Sequence, residues 1–251
     1  MSGLLVFAAA GLPGQAPGPA FEVASIRPNP GPWHVLRGFF SSGPRLTLEG
    51  YTLADLVMEA YNLKNYQVTL SKTVPRALAY GTYYDVLAEA DADRTPTKAE
   101  FRQMLQGLLA ERCNLTLHRE MKETPVYALL VGRNGPKFKE SAPGEHWISN
   151  HGVNGRNQNI SLVKASMASL ADDIQGSFGL DRPVVDKTGL TGAYTIHLEA
   201  TPEFAMNRGA PQPRDTSIFT AVQEQLGLRL ESRKAQIEVF VVDHIDKPSE
   251  N

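Results

Sequence analysis

Apolar and polar residues alternate over Leu46-Thr47-Leu48 and again over Ile160-Ser161-Leu162. That is the mark of a half-buried strand. After each alternation, apolar residues recur three and four positions apart, which predicts a helix. The two places are 114 residues apart, and the same offset lays Thr52-Leu53 on Ser166-Met167 and Leu56 on Leu170. Thr52 and Ser166 are residue types that cap a helix N-terminus, each with a polar residue three positions on, Asp55 or Ser169.

A second matched strand follows, because Tyr84-Asp85-Val86-Leu87-Ala88-Glu89-Ala90 falls on Tyr194-Thr195-Ile196-His197-Leu198-Glu199-Ala200 at an offset of 110. At an offset of 113, Leu105, Leu109, Glu111, Cys113 and Asn114 align with Ile218, Val222, Glu224, Leu226 and Gly227, and Val126-Tyr127 with Val239-Phe240. The second helix of each copy, Lys98 to Glu111 or Ser217 to Gln225, therefore ends on Asn114 or Gly227, both tolerant of the left-handed cap. Each copy reads as strand, helix, strand, strand, helix, then a two-strand hairpin. Strands outnumber helices and short turns join them, so the predicted class is α+β with mainly antiparallel sheet.

The organisation expected from this pattern is a signal-like leader over 1–20, a first α+β repeat over 21–131, a connecting loop over 132–158 rich in Gly, Pro and Asn, and a second repeat over 159–251. Phe21 to Arg27 alternates as an extra strand at a sheet edge, and Thr201 to Thr216 is an insertion confined to the later copy. Leu4 to Ala10 followed by small residues has the layout of a secretory leader, although no Lys or Arg precedes the run. The expectation is export to the periplasm or beyond, with no integral membrane segment in the mature chain.

Composition narrows the chemistry. Of the 251 residues, 42% are hydrophobic and 21% charged, which places the chain among folded globular proteins. Lys plus Arg total 25 against 27 for Asp plus Glu, so a nucleic-acid partner is not expected. The single cysteine, Cys113, has no intrachain disulfide partner. It aligns with Leu226 and is expected to be a packing residue.

Ser161-Leu162-Val163-Lys164 and Lys187-Thr188-Gly189 match two short motifs of penicillin-recognising enzymes. Ser161 falls in a predicted strand where those enzymes need a helix start, so a polar strand and a tight turn are preferred. The six histidines have no zinc-ligand spacing, and no phosphate-binding glycine motif occurs. No metal, cofactor or catalytic residue is assigned. The matched acids Glu89 and Glu199 invite a glycosidase reading, but duplication accounts for their matching.

Several segments together carry a resemblance: Phe21-Glu22-Val23-Ala24-Ser25-Ile26-Arg27-Pro28, Leu117-His118-Arg119-Glu120 with Pro125-Val126-Tyr127-Ala128-Leu129, Lys139-Glu140-Ser141-Ala142, Pro183 through Gly192, and Asp243-His244 through Asn251. The chain resembles the soluble Acidobacteria protein family, the Soli domain of unknown function. The resemblance implies an exported protein, free or attached to an envelope metallopeptidase, and supplies no catalytic residue. Cys113 departs from it, since the family usually has Phe there.

The two tryptophans, Trp33 and Trp147, are again 114 apart, as are Gly38 and Gly152. Large aromatics on loops held by a rigid scaffold are favoured at binding sites; alternatively, each ring caps its own repeat. The candidate binding set is Trp33, His34, His146, Trp147 and His151. The reading is a non-catalytic envelope module that binds a protein or small ligand. Its rival is a secreted hydrolase acting on peptide or glycan through a loop-built site.

Overall fold

A computed structural model describes residues 19–30, 38–91, 94–207 and 215–249. The leader run Leu4 to Ala10 lies outside the described residues, as do Trp33 and His34. The fold is α+β with mainly antiparallel sheet, as the pattern predicts. It forms two compact units: one runs to Met121 and resumes at Glu238, and the other is Lys122–Ile237.

In the first unit, β1 (Phe21–Pro28), β2 (Gly38–Ser42) and β3 (Arg45–Thr52) precede helix α1 (Leu53–Ala60). After a 3-10 turn at Asn65–Gln67 come β4 (Val68–Leu70), the short α2 (Arg76–Tyr80), β5 (Tyr83–Ala90), α3 (Lys98–Cys113) and β6 (Thr116–Val131), which belongs to the second unit beyond Met121. The second unit holds β7 (Lys139–Glu140), β8 (Ile148–Asn154), β9 (Asn157–Ala165), α4 (Met167–Phe178), β10 (Val184–Asp186) and β11 (Tyr194–Ala200). Then follow α5 (Glu203–Met206), α6 (Ile218–Leu226) and β12 (Leu228–His244), which belongs to the first unit from Glu238 on.

The sheet orders are β1-β5-β3-β2, β7-β11-β9-β8 and β10-β6-β12-β4. In the first two, each element stands where the offset places its counterpart, an arrangement compatible with duplication. β1 lies at a sheet edge, as expected. In the third, β4 pairs in parallel with Phe240–Val242 of β12, and β10 with Tyr127–Leu129 of β6.

The helix limits follow from local chemistry. Thr52 accepts from the Asp55 backbone N–H at 3.2 Å while the Asp55 carboxylate accepts from Thr52 N at 3.1 Å, a reciprocal cap. Ser166 accepts from Ser169 N at 3.1 Å at the start of α4. Helices α3 and α6 end on Asn114 (φ 47°) and Gly227 (φ 65°), both left-handed. Only glycine fits at 227, because a Cβ there would stand 2.1 Å from the Gly135 carbonyl oxygen.

Each unit has its own core. Leu46, Leu48, Leu53, Leu56, Val86, Phe101, Leu105 and Cys113 fill the first; Ile160, Leu162, Leu170, Ile174, Phe178, Ile196, Leu198 and Val222 fill the second. Alternating strand residues meet helix positions three and four apart, as the hydrophobic pattern requires.

Two expectations change. The hairpin predicted at the end of each copy is a single strand, of 16 residues in β6 and 17 in β12. Between Leu117 and Thr124, and between Leu230 and Ile237, the chain has no Gly, Pro, Asn or Asp to turn it. The connection 132–158 also contains β7 and β8. Ser-Asn-His-Gly-Val-Asn has low intrinsic strand preference, and pairing with β9 along its whole length makes it a strand.

Candidate functional site

The described members of the predicted binding set lie at one end of the second four-stranded sheet, on or just before β8. His146 is exposed, and Trp147, one residue before the strand, keeps 64% of its surface open. Ile148 and Val153, within the strand, are 43% and 74% exposed.

His151 is held differently. Its Nε2 lies 2.9 Å from Ser149 Oγ and 3.3 Å from an Asp173 carboxylate oxygen, and its Nδ1 lies 3.1 Å from Ser177 Oγ. Asp173 and Ser177 are one turn apart on α4, so the ring ties the strand to that helix. The structure thus leaves Trp147 presented and gives His151 a positioning role. Sequence reasoning could not separate these roles, because Asp173 is far from His151 in the chain.

The β8–β9 turn fixes which backbone groups point where. Asn154 pairs with Asn157 across a two-residue loop, Gly155-Arg156, and Gly155 has φ 63°. A positive φ at only the first loop residue is the type II′ turn that matches strand twist. The pair flanking such a loop is hydrogen-bonded, and bonded and non-bonded pairs alternate along an antiparallel ladder. Ile148, Asn150, Gly152 and Asn154 therefore direct their N–H and C=O to β9. Ser149, His151 and Val153 direct theirs to the open side.

Of the motif residues, Ser161 stands on the opposite face of this sheet. Ser161 Oγ lies 2.9 Å from His197 Nδ1 across the β9–β11 ladder. Asn157 donates to Glu199 at 3.1 Å, and its carbonyl accepts from Thr201 at 2.6 Å. Lys164 sits on a bulge with φ 58°, its N–H donated to Ser141 Oγ at 2.9 Å. Lys187 lies in a turn in which the Asp186 carboxylate accepts from Thr188 N and Oγ1, both at 2.8 Å. Ser161 on a strand and Lys187 in a tight turn match the sequence reading. Glu89 pairs with Arg45 at 3.1 Å, so each of the matched acids has a polar partner.

Among the described residues no group of three or more His, Cys, Asp or Glu side chains could hold a metal. His118 pairs with Asp243 at 2.8 Å and His244 with Asp246 at 3.1 Å. A cleft of about 480 Å³ surrounds the C-terminus of α6, with Arg133, Lys137 and Arg229 on its walls. Lys137 Nζ donates to the Glu224 carbonyl at 2.7 Å, which caps the helix. In the first unit, a cleft of about 510 Å³ is lined by Tyr51, Asp55, Glu59 and Tyr80. Glu59 is fixed there by Arg102 at 2.9 Å.

Two groups titrate far from their usual range. Burial, reinforced by Asp246, pushes the Cys113 thiol up to about 12. Hydrogen bonds from Arg94 and Thr97 bring the Glu100 carboxyl down to about 2. Cys113 is a core residue and Glu100 belongs to the N-terminal cap of α3, so both shifts have a structural cause.

No helix among the described residues is long and apolar enough to cross a membrane. No curated protein and no solved structure matches the chain. One family model does, over residues 54–245, and it is described as a protein of unknown function, DUF3738. With more than half its length matched, the chain belongs to the DUF3738 family.

Proposed function

We propose that this chain is an exported, non-catalytic binding module of the cell envelope that takes a protein partner or ligand at β8 and Trp147. The resemblance to the soluble Acidobacteria proteins supports the exported location. The observation that carries the reading is the concentration of exposed apolar surface on one short stretch, Trp147, Ile148 and Val153, beside a histidine locked to α4. Aromatic anchors on a rigid support bury much area at little entropic cost. Titrating the full chain with envelope fractions should quench Trp147 emission. Trp147→Ala should lose that response while keeping its circular dichroism spectrum, and an unchanged response in that variant would sink the reading.

The rival, a secreted hydrolase acting on peptide or glycan, has one observation in its favour, the Ser161–His197 contact at 2.9 Å. A serine nucleophile also needs its histidine oriented by a third group. Among the described residues no carboxylate is bonded to the His197 ring. Labelling of Ser161 by a fluorophosphonate, lost in His197→Ala, would revive this reading.

A further inference from the structure

Resting on that reading of β8, we propose that the site takes an extended polypeptide, added as a fifth strand on the open side of β8, with a Lys or Arg opposite His151. Ser149, His151 and Val153 direct three N–H and three C=O groups away from β9, and no backbone group among the described residues pairs with them. Such a row is a template for another strand unless it is blocked.

Two other edges carry blocking devices. β1 has a register slip between Phe21 and Val23, the charges of Glu22 and Arg27, and Pro28 at its end. On the far side of the second sheet, the Gln225 amide bonds both Glu199 N (3.0 Å) and Glu199 O (2.8 Å), standing in for a strand. β8 has seven consecutive pairs with β9 in unbroken register, no proline, and no Asp, Glu, Lys or Arg.

Charge selects the occupant. A residue opposite His151 on an added strand shares the face on which His151 meets Asp173, and α4 carries Asp172 and Asp173 with no Lys or Arg. A basic side chain there is attracted by the Asp173 carboxylate, whereas an acidic one is repelled by it.

The probe is a seven-residue peptide of alternating Thr and Val with a central Lys, added to the full chain and followed by amide hydrogen exchange. The amides of Ser149, His151 and Val153 should slow by about tenfold or more while those of Asn150 and Gly152 stay unchanged. A central Glu should weaken the effect. N-methylation of the peptide's second, fourth and sixth residues should abolish it, a control that does not depend on how a variant folds. Val153→Pro, which removes an outward N–H without touching the β9 ladder, should abolish it too.

Absence of protection at the three amides overturns strand addition. So does protection that appears without peptide as protein concentration rises, which would make a second copy the occupant. Quenching of Trp147 by envelope material or a neutral oligosaccharide, without amide protection, would leave the binding-module reading standing and remove only the strand.

Discussion

Gly50 and Lys164, 114 residues apart, hold the same place in their sheets: each is a left-handed residue where the ladder slips register, with φ of 69° and 58°. The slips lie between Leu48 and Tyr51 in β3 and beside Lys164 in β9. Both freed N–H groups are caught by side chains, Gly50 N by the Asp85 carboxylate and Lys164 N by Ser141 Oγ, each at 2.9 Å. Gly50 is buried and Lys164 exposed.

A non-glycine residue in this conformation costs roughly 1–2 kcal/mol, partly offset by the greater freedom of glycine in the unfolded chain. Lys164→Gly should therefore raise stability by about 0.5–1 kcal/mol, and Gly50→Ala should lower it by about 1–2 kcal/mol or more. Urea midpoints at constant slope check both, and equal losses in the two variants would contradict the bulge account.

Cys113 sets a limit at alkaline pH. Its thiol is raised from 9.0 to about 12 in the folded chain, so above pH 9 the unfolded chain releases a proton that the folded chain keeps. Stability should fall as pH rises from 9 toward 12, by at most about 1.4 kcal/mol per pH unit from this group. Cys113→Ala should lower stability at neutral pH through lost packing and flatten that slope. Thiol reagents should label the wild-type chain only after unfolding, and fast labelling of the native chain would contradict the burial.

Glu100 acts at the other end of the scale. Its carboxyl, lowered from 4.5 to about 2, binds Arg94, Thr97 N and Thr97 Oγ1 at the start of α3. Its contribution is complete above pH 4.5 and is lost as pH falls through about 2. Arg94→Ala should move the Glu100 midpoint upward in a carboxyl titration by NMR, and an unmoved midpoint would show that the Thr97 cap alone holds it.

Gln225 seals the β11 side of the sheet whose β8 side stays open. Gln225→Ala should cost about 1–2 kcal/mol by removing both bonds to Glu199. It should also speed exchange of the Glu199 amide selectively, a signature that a merely loosened α6 would spread over its whole length.

The sequence by itself determined what depends on neighbours a few residues away. Thr52, Ser166, Asn114 and Gly227 mark helix limits because a cap bonds the first or last turn of its own helix. The alternation through Leu46–Leu48 and Ile160–Leu162 identified core positions because side chains on a strand switch faces at every residue. Cys113 was legible as a core residue through its alignment with Leu226.

Only the tertiary structure decided the rest. The residues of β8 carry almost no strand signal, and β9 alone makes them a strand. His151 meets Asp173 and Ser177 because β8 lies beside α4, and no local pattern encodes that approach. β6 and β12 are each a single strand where the pattern predicts a hairpin, and their parallel partners β10 and β4 come from distant parts of the chain. The open side of β8 is likewise defined by pairing: among the described residues only β9 is hydrogen-bonded to it. Strand pairing is a long-range interaction, so edges become visible only after folding.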